Sequence, residues 1–265
     1  MTYAVGMLVD DGLVMIADTR TNAGVDNISS YRKLHVVEAR GERVIAVATA
    51  GNLSITQTAL SLIGEGVRLP GSEISETLES APTMLRAAQL MGQALSQVRR
   101  DMSPSLEAEA VNVSATILLG GQIRGGPMRL FLIYSQGNFI ECGADTPFLQ
   151  IGELKYGKPL LTRTMHSDTP LAEAVKLGLI AMDSVMRSNV AVGPPIDLIA
   201  VRRDGFVGSQ RHLGEDDAYF NELSRRWNEV LNDAHRAVEA PPWMSGAGAE
   251  VPEAAVVSLP ARQRP

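Results

Sequence analysis

Val5-Gly6-Met7-Leu8-Val9 and Leu13-Val14-Met15-Ile16-Ala17 flank the turn Asp10-Asp11-Gly12 near the start of the chain. An Asp-Gly pair between two such runs is a strong short-range signal for a β-hairpin. Both runs are almost entirely apolar, so each strand is expected to be buried on both faces. The segment therefore predicts a sheet that is covered on both sides.

The next elements are more strands. Residues 19–30 are rich in Asn, Asp, Gly and Ser, which predicts a loop. Residues 33–37 and 44–49 are predicted to be two further strands around a turn at Gly41. With the opening hairpin, they predict four consecutive antiparallel strands in one sheet.

The rest of the chain alternates helices and strands. Helices are predicted at 55–64 with Ser54 as N-cap, at 75–102, at 171–188 and at 215–238. In the second helix, Pro82 is expected to kink or break the first turns and Pro104 to end the helix. Strands are predicted at 112–119, 128–134, 139–142, 148–151, 196–201 and 205–208. Antiparallel sheets alternating with helices predict an α+β fold, with two stacked sheets covered by helices on each outer side. The expected domain covers residues 1–239, and the Pro/Ala/Gly-rich residues 240–265 are expected to be a tail.

Composition excludes several classes of protein. The chain has 265 residues, a net charge of -6 and 45% hydrophobic residues. The acidic balance argues against a nucleic-acid or anionic membrane partner, and no apolar run approaches the ~20 residues of a membrane span. The single Cys142 excludes an internal disulfide framework, and the N-terminus lacks the pattern of a signal peptide. These features predict a cytoplasmic protein.

Thr2 is the first candidate for chemistry. It follows Met1 directly, and methionine aminopeptidase removes Met1 when the next residue is small. The mature chain would then begin with a hydroxyl and a free α-amine on one residue. Because the ordinary pKa of an α-amine is ~7.7–8.0, the amine can serve as the base for the hydroxyl. Thr2 is therefore a candidate nucleophile that needs no metal or cofactor.

Three further residues are expected beside Thr2. Asp18 ends the second strand, which the hairpin returns to the start of the first strand, and Lys33 opens the next one. A buried Lys33 ammonium would favour loss of protons from Thr2, and Asp18 would keep Lys33 charged and oriented. Gly51 could offer its backbone N–H to an oxyanion and let a substrate backbone come close.

These residues stand in four short motifs: Thr2, Ala17-Asp18-Thr19-Arg20, Arg32-Lys33-Leu34 and Thr49-Ala50-Gly51. Their order resembles the first half of a proteasome β-type subunit, an N-terminal-nucleophile hydrolase. The resemblance extends from Thr2 to about Gly208. It implies a four-layer αββα sandwich, catalytic roles for Thr2, Asp18, Lys33 and Gly51, and a ring-like or helical homo-oligomer acting on a peptide or amide. The segments 155–159 and 188–197 resemble a bacterial, proteasome-related branch of that family.

Part of the family's pattern is altered. Active subunits usually carry an aspartate and a serine where this chain has Asn189 and Val192, and another serine where it has Gly152-Glu153. The nucleophile would therefore have different supporting residues, with Ser188 and Asn189 as the candidates. Two alternatives remain open: a non-catalytic ring or scaffold subunit, and a hydrolase of a specialised non-protein amide.

Substrate-binding residues are predicted by position alone. They are Arg20, Ser29, Ser30, Tyr31 and Thr49, a polar set without a clear preference. The four histidines lie on different elements without metal-ligand spacing, so no metal site is predicted.

Overall fold

The computed structural model describes residues 2–22, 28–108 and 111–244. The described strands are β1 Tyr3–Val9, β2 Gly12–Asp18, β3 Arg20–Asn22, β4 Ile28–Ser30, β5 Leu34–Ala39, β6 Arg43–Gly51, β7 Ala115–Ile123, β8 Arg129–Ile133, β9 Phe139–Glu141, β10 Phe148–Gly152, β11 Ile196–Arg202 and β12 Gly208–Leu213. The described helices are α1 Leu53–Glu65, α2 Met84–Ala108, α3 Lys158–Thr164, α4 Leu171–Ser188 and α5 Ala218–Ala237, followed by a 3-10 turn at Pro242–Met244.

The strands of residues 1–224 form two large antiparallel sheets. In the described part of the chain, one sheet has the order β10-β1-β2-β11-β12 and the other β5-β6-β7-β8-β9. The prediction that the first four long strands share one sheet is therefore wrong. The edges of the first hairpin are occupied by β10 and β11, so the second hairpin belongs to a separate sheet that stacks on the first. The almost complete burial of β2 and β6 agrees with this stacking.

Three apolar clusters define the layers. Side chains of β6, β7 and β8 pack against α1 and α2 in the first cluster, which includes Ile45, Ile55, Leu90 and Phe131. A second cluster joins β1 and β2 to α3 and α4. The third lies between the two sheets. The order helix, sheet, sheet, helix confirms the predicted four-layer αββα sandwich.

Several local boundaries differ from the predictions. Asn52, rather than Ser54, caps α1, since its side chain accepts from the backbone N–H groups of Ser54 and Ile55. Pro104 lies inside α2 instead of ending it. A proline within a helix removes one hydrogen bond and crowds the carbonyl of the preceding turn, which can kink a helix without ending it. The expected loop at 19–30 carries the hairpin β3–β4, of which residues 23–27 lie outside the described residues.

The chain divides into two compact units, residues 1–224 and 225–265. The second unit begins within α5, so the predicted boundary at residue 239 stays a prediction. Residues 245–265 of the predicted tail, and Met1, lie outside the described residues. Among the described helices, none is both long enough and apolar enough to span a bilayer.

Candidate active site

Thr2 lies immediately before β1, at the edge of the two-sheet core. Along β1, Tyr3 packs toward the helices α3 and α4, whereas Ala4 packs between the sheets. Because side chains alternate along a strand, Thr2 faces the same side as Ala4. Its carbonyl oxygen accepts a 2.7 Å hydrogen bond from the N–H of Glu153, which extends the pairing of β1 with β10. Thr2 is 8% exposed.

Asp18 and Lys33 form a buried ion pair beside this strand start. Lys33 Nζ donates to Asp18 Oδ1 over 2.9 Å and to the carbonyl oxygen of Arg20 over 2.6 Å. The same carboxylate oxygen accepts from the N–H of Tyr3 over 3.0 Å, so Asp18 is bonded to the residue after Thr2. Both side chains are almost wholly withdrawn from solvent. The pair therefore ties the starts of β1 and β5 to the end of β2.

Burial acts on both charges of this pair. Desolvation raises the pKa of Asp18 above its ordinary value, and the Lys33 ammonium and the N–H groups of Tyr3 and Gly193 oppose that rise. Desolvation also lowers the pKa of Lys33, against the attraction of Asp18. Lys33 thus holds its proton less tightly than an exposed lysine does.

Gly51 ends β6 opposite Ala115 with a φ of +104°. A Cβ at this position would come 2.3 Å from the carbonyl oxygen of Ser114, so only glycine fits. The N–H of Thr49 donates to the carbonyl oxygen of Lys33, and that of Asn52 to Ser114 on the β7 side. Since N–H groups alternate along a strand, Gly51 directs its N–H to the side of Lys33.

A cavity of about 690 Å³ brings these residues together. Its walls include Thr2, Lys33, Gly51 and Thr49. Further polar groups come from Asn52, Ser54, Asn112 and Ser114. Asp18 is not among the described lining residues and is connected to the cavity by its hydrogen bond with Lys33. The arrangement presents a hydroxyl, a buried ammonium and a backbone N–H to one space large enough for a peptide side chain.

The predicted substrate residues fall into two groups. Tyr31, Thr49 and Ser29 line the cavity. Arg20 and Ser30 lie opposite each other across the β3–β4 hairpin and are not among the described lining residues. The Arg20 guanidinium instead donates to the carbonyl oxygen of Val190 over 3.1 Å.

Thr21 also lines the cavity, although the sequence analysis did not select it. Thr21 and Ser29 form the middle pair of the hairpin, so their side chains share the face opposite to Arg20 and Ser30. The alternation of side chains along a strand could have identified Thr21. The composition of residues 19–30 instead predicts a loop, in which no such alternation is expected.

The two predicted supporting residues differ in position. Ser188 is exposed at the end of α4. Asn189 caps α4, and its Nδ2 donates to Glu153 Oε2 over 3.2 Å. Glu153 is 9% exposed, and its Oε1 accepts from the N–H of Lys155 over 2.8 Å. Glu153, which in the sequence is only a departure from the family's pattern, contacts both Thr2 and Asn189.

The αββα layers, with a threonine at the start of the first strand and a Lys–Asp pair beside it, define the N-terminal-nucleophile fold of the proteasome type. The chain belongs to the proteasome subunit family. The family profile described as "Proteasome subunit" matches residues 2–201. A proteasome subunit beta from Archaeoglobus profundus is 27% identical over 211 residues, which cover 77% of this chain and 86% of that protein.

Solved structures narrow the similarity within the family. Anbu from Hyphomicrobium sp. strain MC1 is 46% identical with a TM-score of 0.80, covering 91% of this chain and 99% of the other. A structure described as a helical assembly of the Anbu complex from Pseudomonas aeruginosa is 40% identical with a TM-score of 0.83, covering 92% and 100%. The predicted resemblance to the bacterial, proteasome-related branch is thereby confirmed.

Proposed function

We propose that this protein is an N-terminal threonine amidohydrolase of the peptidase type, active in a self-assembling, proteasome-related complex in the cytoplasm. In this proposal Thr2 is the nucleophile, with its α-amine exposed by removal of Met1. The observation that carries the proposal is the buried Lys33–Asp18 pair, because it opens on the same cavity as Thr2 and Gly51. Membership of the proteasome subunit family supports it.

The reaction follows from the groups around the cavity. Thr2 Oγ bonds to the carbonyl carbon of an amide and passes its proton to the α-amine. The nearby Lys33 ammonium favours this loss of a proton, and Asp18 orients Lys33. The N–H of Gly51 stabilises the oxyanion. The C–N bond then breaks, the leaving amine takes the proton, and water hydrolyses the resulting ester to release the acid and restore Thr2.

A homo-oligomer forms part of the proposal. The Pseudomonas aeruginosa relative is described as a helical assembly, and this chain covers all of that chain's length. A ring-like or helical homo-oligomer is therefore expected here, with a peptide or amide as substrate. Size-exclusion chromatography with light scattering measures the assembly directly.

Two measurements test the proposed chemistry. Intact mass of the purified protein should lack the mass of Met1, since a retained Met1 would block the α-amine. An epoxyketone probe, which bonds to both the hydroxyl and the amine of an N-terminal threonine, should label the wild type and spare Thr2→Ala. Thr58→Ala is a matched control, because Thr58 lies exposed on α1. Equal labelling of wild type and Thr2→Ala contradicts the proposal.

The second candidate function is a non-catalytic ring or scaffold subunit. It is favoured by the residues that replace the family's usual supporting groups, namely Gly152, Asn189 and Val192. This candidate predicts assembly with Met1 retained, or assembly without turnover of any amide in a broad library. A processed protein that reacts with the probe but cleaves no peptide would instead favour hydrolysis of a specialised non-protein amide.

A further inference from the structure

Glu153 is a buried carboxylate that the proposed mechanism does not use. Its backbone N–H donates to the carbonyl oxygen of Thr2, so it is the residue opposite the nucleophile on the neighbouring strand edge. Its side chain is held at both oxygens, by the N–H of Lys155 and by Asn189 Nδ2. A carboxylate can accept about four hydrogen bonds, so the two described donors leave room for a further one. Because Glu153 is buried, a positively charged donor would stabilise its carboxylate most.

The direction of the Thr2 nitrogen can be read from the strand. In a β-strand the N–H and C=O groups of one residue point to the same side, and the next residue points to the other. The N–H of Tyr3 points to Asp18 on β2. The carbonyl oxygen of Thr2 points to Glu153. Leu8, an even-numbered residue like Thr2, donates its N–H to the carbonyl oxygen of Pro147 on the β10 side. The nitrogen of Thr2 therefore faces the edge that carries Glu153.

Gly152 brings the two residues close together. It has a φ of +81°, and a Cβ there would lie 2.0 Å from the carbonyl oxygen of Thr2. This glycine lets the end of β10 approach Thr2 and turns the chain so that Glu153 meets Asn189 at the end of α4.

We propose that Glu153 is the residue that positions the α-amine of mature Thr2, with its carboxylate held in place by Asn189. This inference rests on the proposed function, because the α-amine exists only after Met1 is removed. Glu153 acts on the reaction through that amine and is therefore a positioning residue.

Glu153 would also change how tightly the α-amine holds its proton. A nearby carboxylate favours the ammonium form, so Glu153 raises the pKa of the α-amine, whereas the Lys33 ammonium lowers it. Only the free amine can accept the proton of Thr2 Oγ. Glu153 therefore raises the pH at which Thr2 becomes reactive. The described charged groups on the elements next to Thr2 and Glu153 include Asp18, Lys33, Arg20, Lys155 and the Asp183–Arg187 pair of α4.

The α-amine itself can be titrated without any catalytic turnover. The mature protein is treated with trace acetic anhydride across a pH series, and the acetylated N-terminal peptide is quantified by mass spectrometry. In Glu153→Gln the midpoint of acetylation should fall by about one pH unit, the low end of the shift expected for removing a charge at close range. Glu153→Asp, which keeps the charge, should restore most of the wild-type midpoint.

Glu173→Gln is the matched control. Glu173 is exposed on α4 and pairs with Lys176, so its neutralisation should leave the midpoint where it is in the wild type. If Glu153→Gln fails to fold, Asn189→Ala provides the second test, since it releases the carboxylate without removing it. Asn189→Ala should lower the midpoint by less than one unit.

The outcomes separate the two proposals. If the midpoint of Glu153→Gln, or that of Asn189→Ala where Glu153→Gln does not fold, equals the wild-type midpoint, the role of Glu153 is overturned even when the epoxyketone probe labels Thr2. If the midpoint falls as expected while the probe spares the wild type, the role of Glu153 is supported and the hydrolase proposal fails. A retained Met1 overturns both.

Discussion

Lys33 Nζ lies 2.9 Å from Asp18 Oδ1, and neither side chain has more than a few per cent of its surface in contact with solvent. A buried ion pair rarely stabilises a fold more than apolar side chains of the same size, because desolvation offsets the attraction. Lys33 lines the cavity of Thr2, and Asp18 is held behind it. On the proposed function, this position explains the pair better than a contribution to folding does.

Replacing Lys33 alone should destabilise the fold strongly. Lys33→Met leaves the Asp18 carboxylate buried without its ammonium, which should lower the free energy of unfolding in urea by roughly 3–5 kcal/mol. The double variant Asp18→Asn/Lys33→Met removes both charges and should recover to within about 1 kcal/mol of the wild type or exceed it.

Lys176→Met is the control for this pair. Lys176 pairs with Glu173 on the exposed face of α4, so its loss should change the free energy of unfolding by less than about 1 kcal/mol. A Lys33→Met variant as stable as Lys176→Met would contradict the assignment of a buried, mutually dependent pair.

The layers of the fold could be predicted from the sequence because apolar runs mark most strands and helices. The pairing between strands could not. β1 and β2 pair with β10 and β11, which follow more than a hundred residues later, and no local pattern specifies such partners. The short helix α3 was also missed, since seven residues offer less than two turns of periodicity.

The position of the candidate site was more predictable than its details. Thr2, Asp18 and Lys33 lie at strand ends that a hairpin and one loop bring together, so their proximity follows from local geometry. The contact between Glu153 and Asn189 depends on where α4 ends relative to β10, which is a property of the packed layers. The roles of all these residues stay predictions.

Gly51→Ala should destabilise the fold and close part of the cavity. The added Cβ would approach the Ser114 carbonyl oxygen to 2.3 Å at a φ of +104°, so the β6–β7 pairing has to shift. We expect a loss of about 2–3 kcal/mol in the free energy of unfolding, measured in urea.

Gly64→Ala is the opposite control, because this glycine lies exposed in α1 and an added Cβ would meet open space. It should stabilise by about 0.5–1 kcal/mol. Equal effects of the two substitutions would contradict this explanation.

Cys142 should be inert in the folded protein. Burial raises the pKa of its thiol to about 12, from an ordinary value of 9.0. Because only the thiolate reacts, iodoacetamide at pH 8 should modify the folded protein about a thousandfold more slowly than the unfolded chain. The rate should rise about tenfold per pH unit toward pH 12. Mass spectrometry after timed quenching measures both rates, and comparable rates in urea and in buffer would contradict the burial of the thiol.

The same shift predicts how stability changes with pH. The folded state keeps the thiol proton that the unfolded state loses above about pH 9, so the contribution of Cys142 is fully present below pH 9 and decreases as the pH rises toward 12. Relative to Cys142→Ala, the wild type should therefore lose stability above pH 9. Urea unfolding at pH 8 and pH 10 compares the two proteins.

Thr21 and Ser30 should differ in their effect on substrate choice. Thr21 lines the cavity of Thr2, whereas Ser30 pairs with Arg20 on the opposite face of the hairpin. On the proposed function, Thr21→Leu fills part of the cavity and should slow labelling by probes with bulky side chains roughly tenfold relative to probes with small ones. Ser30→Leu adds the same bulk outside the cavity and should leave that ratio near its wild-type value. Intact mass measures the labelling rates of the bulky and small probes. If the ratio of these rates changed in Ser30→Leu and not in Thr21→Leu, substrate would approach from the other face of the hairpin.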